Sequence, residues 1–495
     1  MPDLILSIPG DNRPAYLRIA DGVRSAIQTG RLKPGEKLPS GRALARLLGV
    51  HRHTVGAAMD ELVAEGWLQS GERRLRQVSA VLPSQFFEPQ NGKPSLPQNR
   101  KHQWRLVRSA ETSECGPPDN KRYRYAFQGG QPDLRLFPYD EIRACLSESL
   151  RRSPATRSGY ANPAGHPYFI ERVEAYLTHI RAVSGRKVIV THGTQEAVFL
   201  IAQLLIKPGD KVAVEELGYS AAWDAFRAAG AELVPLRVDS DGVDPDALAE
   251  AAAQHRLRLI YLTPHHQYPT TVTLPACRRL RLYDIACRHR IPIFEDDYDH
   301  EFHYRCQPIA PLASSDPCEL VVYSSTLSKI MFPSLRIGLL AVPDALYEPL
   351  LRLRMIVTRQ NDVLLQDAVA RWIDNGGFER HLRRMRRVYQ ERRDTTVEAL
   401  EQAQARGLPV TWTVPDGGMA LWMDCATDAD AVAKRAAAKS VHVTTESAYR
   451  LDHRPGTHLR LGFASQTPNE IRKGMTLLME AVAEQTRRPA AAVSD

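Results

Sequence analysis

The chain has 495 residues, of which 43% are hydrophobic and 25% charged, with a formal net charge of +8. That length exceeds what one hydrophobic core usually organises, so two or more domains are expected. No apolar run approaches the ~20 residues that span a bilayer, and the opening MPDLILSIPGDNR lacks a signal-peptide layout, which argues against membrane spans and export. The positive charge permits nucleic-acid binding without establishing it. Seven cysteines without a CxxC pair read as reduced, mostly buried thiols of a cytoplasmic protein.

Residues 10–80 read as a compact helical unit. Ile19, Val23 and Ile27 fall four apart, on one face of a first helix. Ser40 can cap a short second helix carrying Leu44, Leu47 and Leu48, which Gly49 ends. A third helix begins near His53, turns Val55, Met59, Leu62 and Val63 inward, and stops at Gly66. Two short helices joined by a tight glycine turn form a helix-turn-helix, whose second helix presents its N-terminus to the major groove. Here that N-terminus is His51 to Thr54. The stretch WLQSGERRLRQVSA then fits two strands around a basic tip. Potential donors to phosphates and base edges cluster at Arg42, Arg52, His53 and Thr54. From GRLKPGEKLPSGRALARLLGVHRHTV to EGW the unit resembles the winged-helix domain of GntR regulators. The resemblance implies that these four residues contact double-stranded operator DNA.

Residues 81–123 are polar and rich in proline, as a linker would be. Residues 124–484 alternate helical segments with the apolar runs KVIVT, KVAVEE, LRLIYLT, IPIFED and LVVYSS. That alternation predicts an α/β domain with a largely parallel sheet covered on both faces. Residues 485–495 read as a frayed tail.

Four stretches of this domain carry the chemistry. Gly193, Thr194 and Gln195 stand between a strand and a helix, where backbone N–H groups make an anion site. Tyr219 follows a strand end, where its ring could stack on a flat ligand. Asp296 ends the buried run IPIFED, with Tyr298 two residues on. Thr326, Lys329 and Arg336 lie in YSSTLSKIMFPSLRIG. Each part alone is weak, but together they fit a phosphate (Thr194, Thr326, Arg336), an aromatic ring (Tyr219), a protonatable ring nitrogen (Asp296) and an aldehyde (Lys329). Pyridoxal 5′-phosphate has all four, and a lysine amine can form a Schiff base with its aldehyde. No metal site is expected, because the adjacent His265 and His266 cannot easily share one ion and no HxxxH or cysteine set accompanies them.

The order of these parts resembles fold-type I aminotransferases, with large and small lobes. The resemblance implies Lys329 as the Schiff-base lysine, Asp296 as the pyridinium partner, Tyr298 at the phenolic oxygen, Tyr219 as the stacking ring, and Thr326 and Arg336 at the phosphate. It further implies that Tyr160, in GYANPAGHPYF, reaches the phosphate of a neighbouring subunit, and that Arg460, in THLRLGFAS, grips an effector carboxylate. A GntR winged helix, a linker and an aminotransferase-like domain in this order resemble the MocR/GabR-type regulators. TPHHQYPTTVTL matches their TPxHQxPTG-like stretch, but Tyr268 stands where aminotransferases have a cofactor-contacting Asn, Thr271 replaces Gly and Leu217 replaces a common Pro. Ala221 also stands where GabR-type members carry an effector-binding arginine, so their effector is not implied. The resemblance implies a cytoplasmic, homodimeric and domain-swapped transcriptional regulator. It would sense pyridoxal phosphate, or a small amine or amino acid joined to it as an external aldimine, with at most partial transamination. The alternatives are an active aminotransferase with a fused DNA-binding domain, and a cofactor-free dimerisation scaffold.

Overall fold

The computed structural model describes residues 13–70, 76–83, 123–151, 159–304 and 309–487. The chain divides into two compact units, Met1–Val107 and Arg108–Asp495.

The first unit packs α1 (Ala15–Gln28), α2 (Gly41–Leu48) and α3 (Arg52–Ala64) with the antiparallel strands β1 (Leu68–Ser70) and β2 (Arg76–Val78). Ile19, Val23 and Ile27 are buried, as their spacing predicts. Ser40 Oγ accepts the Ala43 N–H at 3.3 Å, and Gly49 closes α2 with φ 64°, a conformation that glycine adopts without a Cβ penalty. Val55, Met59 and Leu62 point into the core, but Val63 is only half-buried and Leu47 is 58% exposed. With about 100° between successive residues, the eight-residue α2 buries a stripe through Leu44, and Leu47 falls outside it. The expected basic tip, residues 71–75, and nearly all of the expected linker lie outside the described residues.

The second unit opens with β3 (Tyr125–Ala126), α4 (Tyr139–Arg151) and α5 (Pro167–Arg181). An alternating run follows: β4 (Lys187–Thr191), α6 (Thr194–Leu205), β5 (Lys211–Glu215), α7 (Ser220–Ala228), β6 (Glu232–Leu236), the short pair β7 (Val238–Asp239) and β8 (Gly242–Val243), then α8 (Pro245–Gln254), β9 (Leu257–Leu262), α9 (Ala276–His289) and β10 (Ile293–Asp297). β11 (Val321–Thr326) and β12 (Gly338–Val342) complete a seven-stranded sheet in the order β4-β12-β11-β10-β9-β5-β6. Only β12 runs antiparallel to its neighbours. All five runs expected as strands form. Two more strands complete the sheet: β6 is an edge strand that tolerates Pro235, and β12, GLLAV, is a fully buried apolar run that enters reversed. Alternate residues of one strand enter opposite cores, Val188 and Val190 on one face and Ile189 on the other. Both faces are therefore covered, and polar side chains can gather only at the strand ends or pair inside.

Helices α10 (Asp344–Val357), α11 (Val363–Asp374) and α12 (Gly377–Ala405) lead into a smaller lobe. There β13 (Thr411–Trp412), β14 (Ala420–Asp424), β16 (Thr444–Thr445) and β17 (His458–Gly462) form an antiparallel sheet in the order β13-β14-β17-β16. α13 (Ala429–Ala438) and α14 (Pro468–Thr486) pack here, and β15 (Val441–His442) pairs with β3. Among the described residues no helix is long and apolar enough to cross a membrane. The cysteines correct one expectation: Cys145 and Cys425 are buried, but Cys287 is only half-buried and Cys277 and Cys318 are exposed. Cys277 and Cys287 sit on the outward side of α9, whose inner face is taken by Leu282, Ile285 and Ala286.

Candidate cofactor site

The carboxyl ends of β4, β5, β9, β10 and β11 converge on one cavity of about 150 Å³. Gly193, Thr194, Gln195, Tyr219, Asp296, Tyr298, Thr326, Lys329 and Arg336 all line it, so nine residues picked from four separated stretches meet in space. Gly129, Gly130, Thr263, Tyr268 and Ser328 line it too.

One end of the cavity suits an anion. Gly193 precedes α6 with φ 77° and no side chain caps that helix, so its first N–H groups face the cavity. Thr194 Oγ1 is buried without a hydrogen-bond partner. A Cβ at Gly193 would lie 3.1 Å from both terminal nitrogens of Arg336, so the guanidinium closes over this glycine while it donates to His192 O. Thr326 Oγ1 accepts the Ser328 N–H at 3.1 Å and pins the short turn that carries Lys329.

The other end suits a protonated ring nitrogen. Asp296 Oδ2 accepts the Tyr261 hydroxyl at 2.8 Å, while Asp296 Oδ1 is buried and unpartnered. Burial first, and the neighbouring Asp297, push this carboxyl up to about 7, against the Tyr261 hydrogen bond and the Lys329 charge. A pyridine N–H placed at Oδ1 would supply the missing donor and a positive charge. The Tyr298 hydroxyl is likewise buried and unpartnered.

Between these ends, Lys329 is half-buried. Burial first, and Arg460 second, lower its pKa to about 8, which leaves about a tenth of the amine free near neutral pH, far more than an unperturbed lysine would have. A Cβ at Gly130 would stand 3.1 Å from Lys329 Nζ, so this left-handed glycine (φ 70°) keeps the approach to the amine open. The residues present thus fit pyridoxal phosphate at phosphate, ring nitrogen and aldehyde.

The remaining expected residues lie elsewhere. Arg460, on β17, is 1% exposed and does not line the cavity. Its guanidinium lies 4.4 Å from the centroid of the Tyr268 ring, which does line it. Arg460 Nε donates to Pro269 O at 3.3 Å, and Nη1 is buried and unpartnered. Tyr160 is 85% exposed, outside the cavity, with Arg359 over its ring at 4.9 Å. In the first unit, Arg42, Arg52 and His53 are exposed and Thr54 is half-buried, around the N-terminus of α3.

Sequence reasoning missed Tyr261, Thr263, Ser328 and the Gly129–Gly130 pair. The Gly-Gly step in QGGQPD is a turn signal that was legible, whereas Tyr261 reaches Asp296 only through the parallel pairing of β9 with β10. The structure also brings ligand-type atoms of His265, Asp297 and His300 within 4.8 Å of one another, although no two of the three are adjacent in sequence. Asp297 Oδ2 there accepts the Tyr323 hydroxyl at 2.6 Å, and lies 2.9 Å from His300 Nδ1 and 3.8 Å from the Arg181 guanidinium. That guanidinium sets a positive charge beside Asp297, while His265 Nδ1 and both ring nitrogens of His300 are buried without a hydrogen-bond partner.

Residues 133–478 match the aminotransferase class I and II family, and residues 15–74 the bacterial regulatory proteins of the gntR family. The probable rhizopine catabolism regulatory protein MocR of Rhizobium meliloti is 33% identical, with 94% of each chain covered. The HTH-type transcriptional regulator TauR of Rhodobacter capsulatus is 30% identical over 96% of this chain and 98% of its own. Among solved structures, the kynurenine aminotransferase of Pyrococcus horikoshii is 27% identical, with a TM-score of 0.69 over 73% of this chain and 91% of that one. Fold and site define an aminotransferase-like domain headed by a gntR unit. The chain belongs to the MocR family of transcriptional regulators.

Proposed function

We propose that this protein is a pyridoxal-phosphate-binding transcriptional regulator. Its gntR unit reads double-stranded DNA, and its large unit holds the cofactor and senses an amine there. The observation that carries the reading is the single cavity where the Lys329 amine, the unpartnered Asp296 oxygen and the Gly193–Thr194 helix terminus come together. When bound, pyridoxal phosphate supplies an aldehyde that primary amines capture and a ring that withdraws electrons.

The chain's own residues do the rest. Gly193, Thr194, Gln195, Thr326 and Arg336 hold the phosphate, and Tyr219 covers the ring. Asp296, steadied by Tyr261, keeps the ring nitrogen protonated, while Tyr298 donates to the phenolic oxygen. Lys329 would hold the aldehyde through its amine, at the position an incoming amine would compete for. Arg460 receives the carboxylate of an amino-acid effector, and the ring of Tyr268 fixes the plane of its guanidinium. Two copies form a homodimer, in which Tyr160 serves the neighbouring site. Arg42, Arg52, His53 and Thr54 touch the DNA. Residues 10–80 and 124–484 act as the two working domains, joined by 81–123 and followed by a tail at 485–495, and the protein works in the cytoplasm. An effector regulates by favouring one of two conformations of unequal affinity for DNA.

The test is an absorbance titration beside a DNA-shift assay. Added pyridoxal phosphate produces a visible band, borohydride followed by peptide mapping finds the pyridoxyl group on Lys329, and candidate amines move both the band and the shift. A colourless protein whose Lys329 carries no label defeats the reading.

A further inference from the structure

Far from the cofactor cavity, two cysteines face each other. Cys287 lies in the last turn of α9, and Cys318 in the loop that enters β11. Their sulfurs are 2.7 Å apart. A disulfide bond measures about 2.05 Å, so the two sulfurs stand within reach of one.

The surroundings hold this pair in place. Tyr283, one helical turn before Cys287, accepts the backbone N–H of Cys318 at 3.0 Å and donates to Asp316 Oδ1 at 2.5 Å. Asp316 in turn accepts the backbone N–H groups of Leu320 at 3.0 Å and Val321 at 2.7 Å, and pairs with Arg186. The loop is therefore tied to both the helix and the strand at the point where the sulfurs meet. Cys318 is exposed and Cys287 half-buried, so one sulfur is open to a small solute while the other waits behind it.

We propose that Cys287 and Cys318 form a peroxide-oxidisable dithiol, a modification site separate from the cofactor chemistry. The Cys318 thiolate attacks one oxygen of hydrogen peroxide, the O–O bond breaks, and a sulfenic acid forms with release of hydroxide, which takes up the thiol proton as water. The Cys287 sulfur then attacks the Cys318 sulfur, the S–O bond breaks, and a second water leaves. Two thiols lose two electrons and two protons, and one peroxide becomes two waters. Burial and the adjacent Cys318 push the Cys287 thiol up, away from the thiolate form. In a reducing compartment such a pair is closed by an oxidative burst and reopened by cellular thiols.

The pair sits at the start of β11, and the cavity at its end. Five strand steps of about 3.3 Å separate Val321 from Thr326, so cross-linking leaves the cavity residues untouched.

The full-length chain, reduced and then freed of reductant, is treated with hydrogen peroxide, alkylated and digested with trypsin. The expected product joins the peptide ending at Arg288 to the peptide Cys306–Lys329 with loss of two hydrogens, and fragmentation places the bond at Cys318 rather than Cys306. The link forms faster in the folded chain than in urea-unfolded chain and disappears on reduction. Cys287→Ser strands the oxidised sulfur at Cys318, where a cyclic diketone labels it. Oxidation of other thiols without this link, equal rates in folded and unfolded chain, or no label on Cys318 in the serine variant overturns the proposal.

Discussion

Lys329 shows how one side chain acquires chemistry from its surroundings. An unperturbed lysine amine has a pKa of about 10.4 and is almost wholly charged near neutral pH. With its pKa lowered to about 8, Lys329 is charged below that value and free above it. The rate at which cofactor-free protein captures pyridoxal phosphate should therefore climb with pH up to about 8 and level off, as stopped-flow absorbance would record. A rate still climbing near 10 would mean the amine is an ordinary one. Tyr261 supports the site from behind. Tyr261→Phe removes the donor to Asp296 Oδ2 and raises that carboxyl further, so affinity for pyridoxal phosphate should fall roughly tenfold, the scale of one hydrogen bond to a charged group. Equilibrium titration at neutral pH measures this, and unchanged affinity would separate Asp296 from the ring nitrogen.

At the scale of elements, the site depends on where strands stop and helices start. Gly193 links β4 to α6 in the left-handed region, with the Arg336 guanidinium where a Cβ would point. Gly193→Ala should cost about 1–3 kcal/mol in denaturant-measured stability and weaken phosphate binding as well. Arg181, at the C-terminus of α5, is 2% exposed. It pairs with Glu301 and donates to the Tyr323 hydroxyl and to Ser325 Oγ, behind the strand ends. Arg181→Ala leaves buried acids uncompensated and should cost about 3–5 kcal/mol, more than any surface arginine. Urea unfolding of Arg181→Ala beside a variant of an exposed arginine such as Arg143 makes the comparison. The strands of the site were legible as short apolar runs, and α2 by a signal at each end, Ser40 and Gly49. β6 was not, since an edge strand holding Pro235 breaks the pattern of a buried run, and the reversed direction of the fully buried apolar β12 is one that no residue pattern shows.

For the whole molecule, the two units should fail separately. Arg52→Ala removes an exposed cation beside the N-terminus of α3 and should weaken DNA binding about tenfold while leaving the cofactor absorbance unchanged. Affinity for DNA should also fall steeply with salt, because each neutralised phosphate releases counterions. Band-shift assays at two ionic strengths, run with absorbance spectra on the same samples, check both. Loss of the cofactor band in Arg52→Ala would tie together sites that lie in different units.

The sequence by itself determined the order of the parts: a helix-turn-helix unit, then an α/β domain whose strand-end lysine, aspartate, tyrosines and arginine meet in one cavity. It could do so because turns, caps and strand ends are written locally, in residues whose backbone or charge requirements leave few substitutes. Only the tertiary structure decided which distant side chains serve those residues. Tyr261 beneath Asp296, Tyr268 over Arg460 and Cys318 against Cys287 follow from strand register and helix docking, which depend on packing across the whole sheet and which no local pattern encodes.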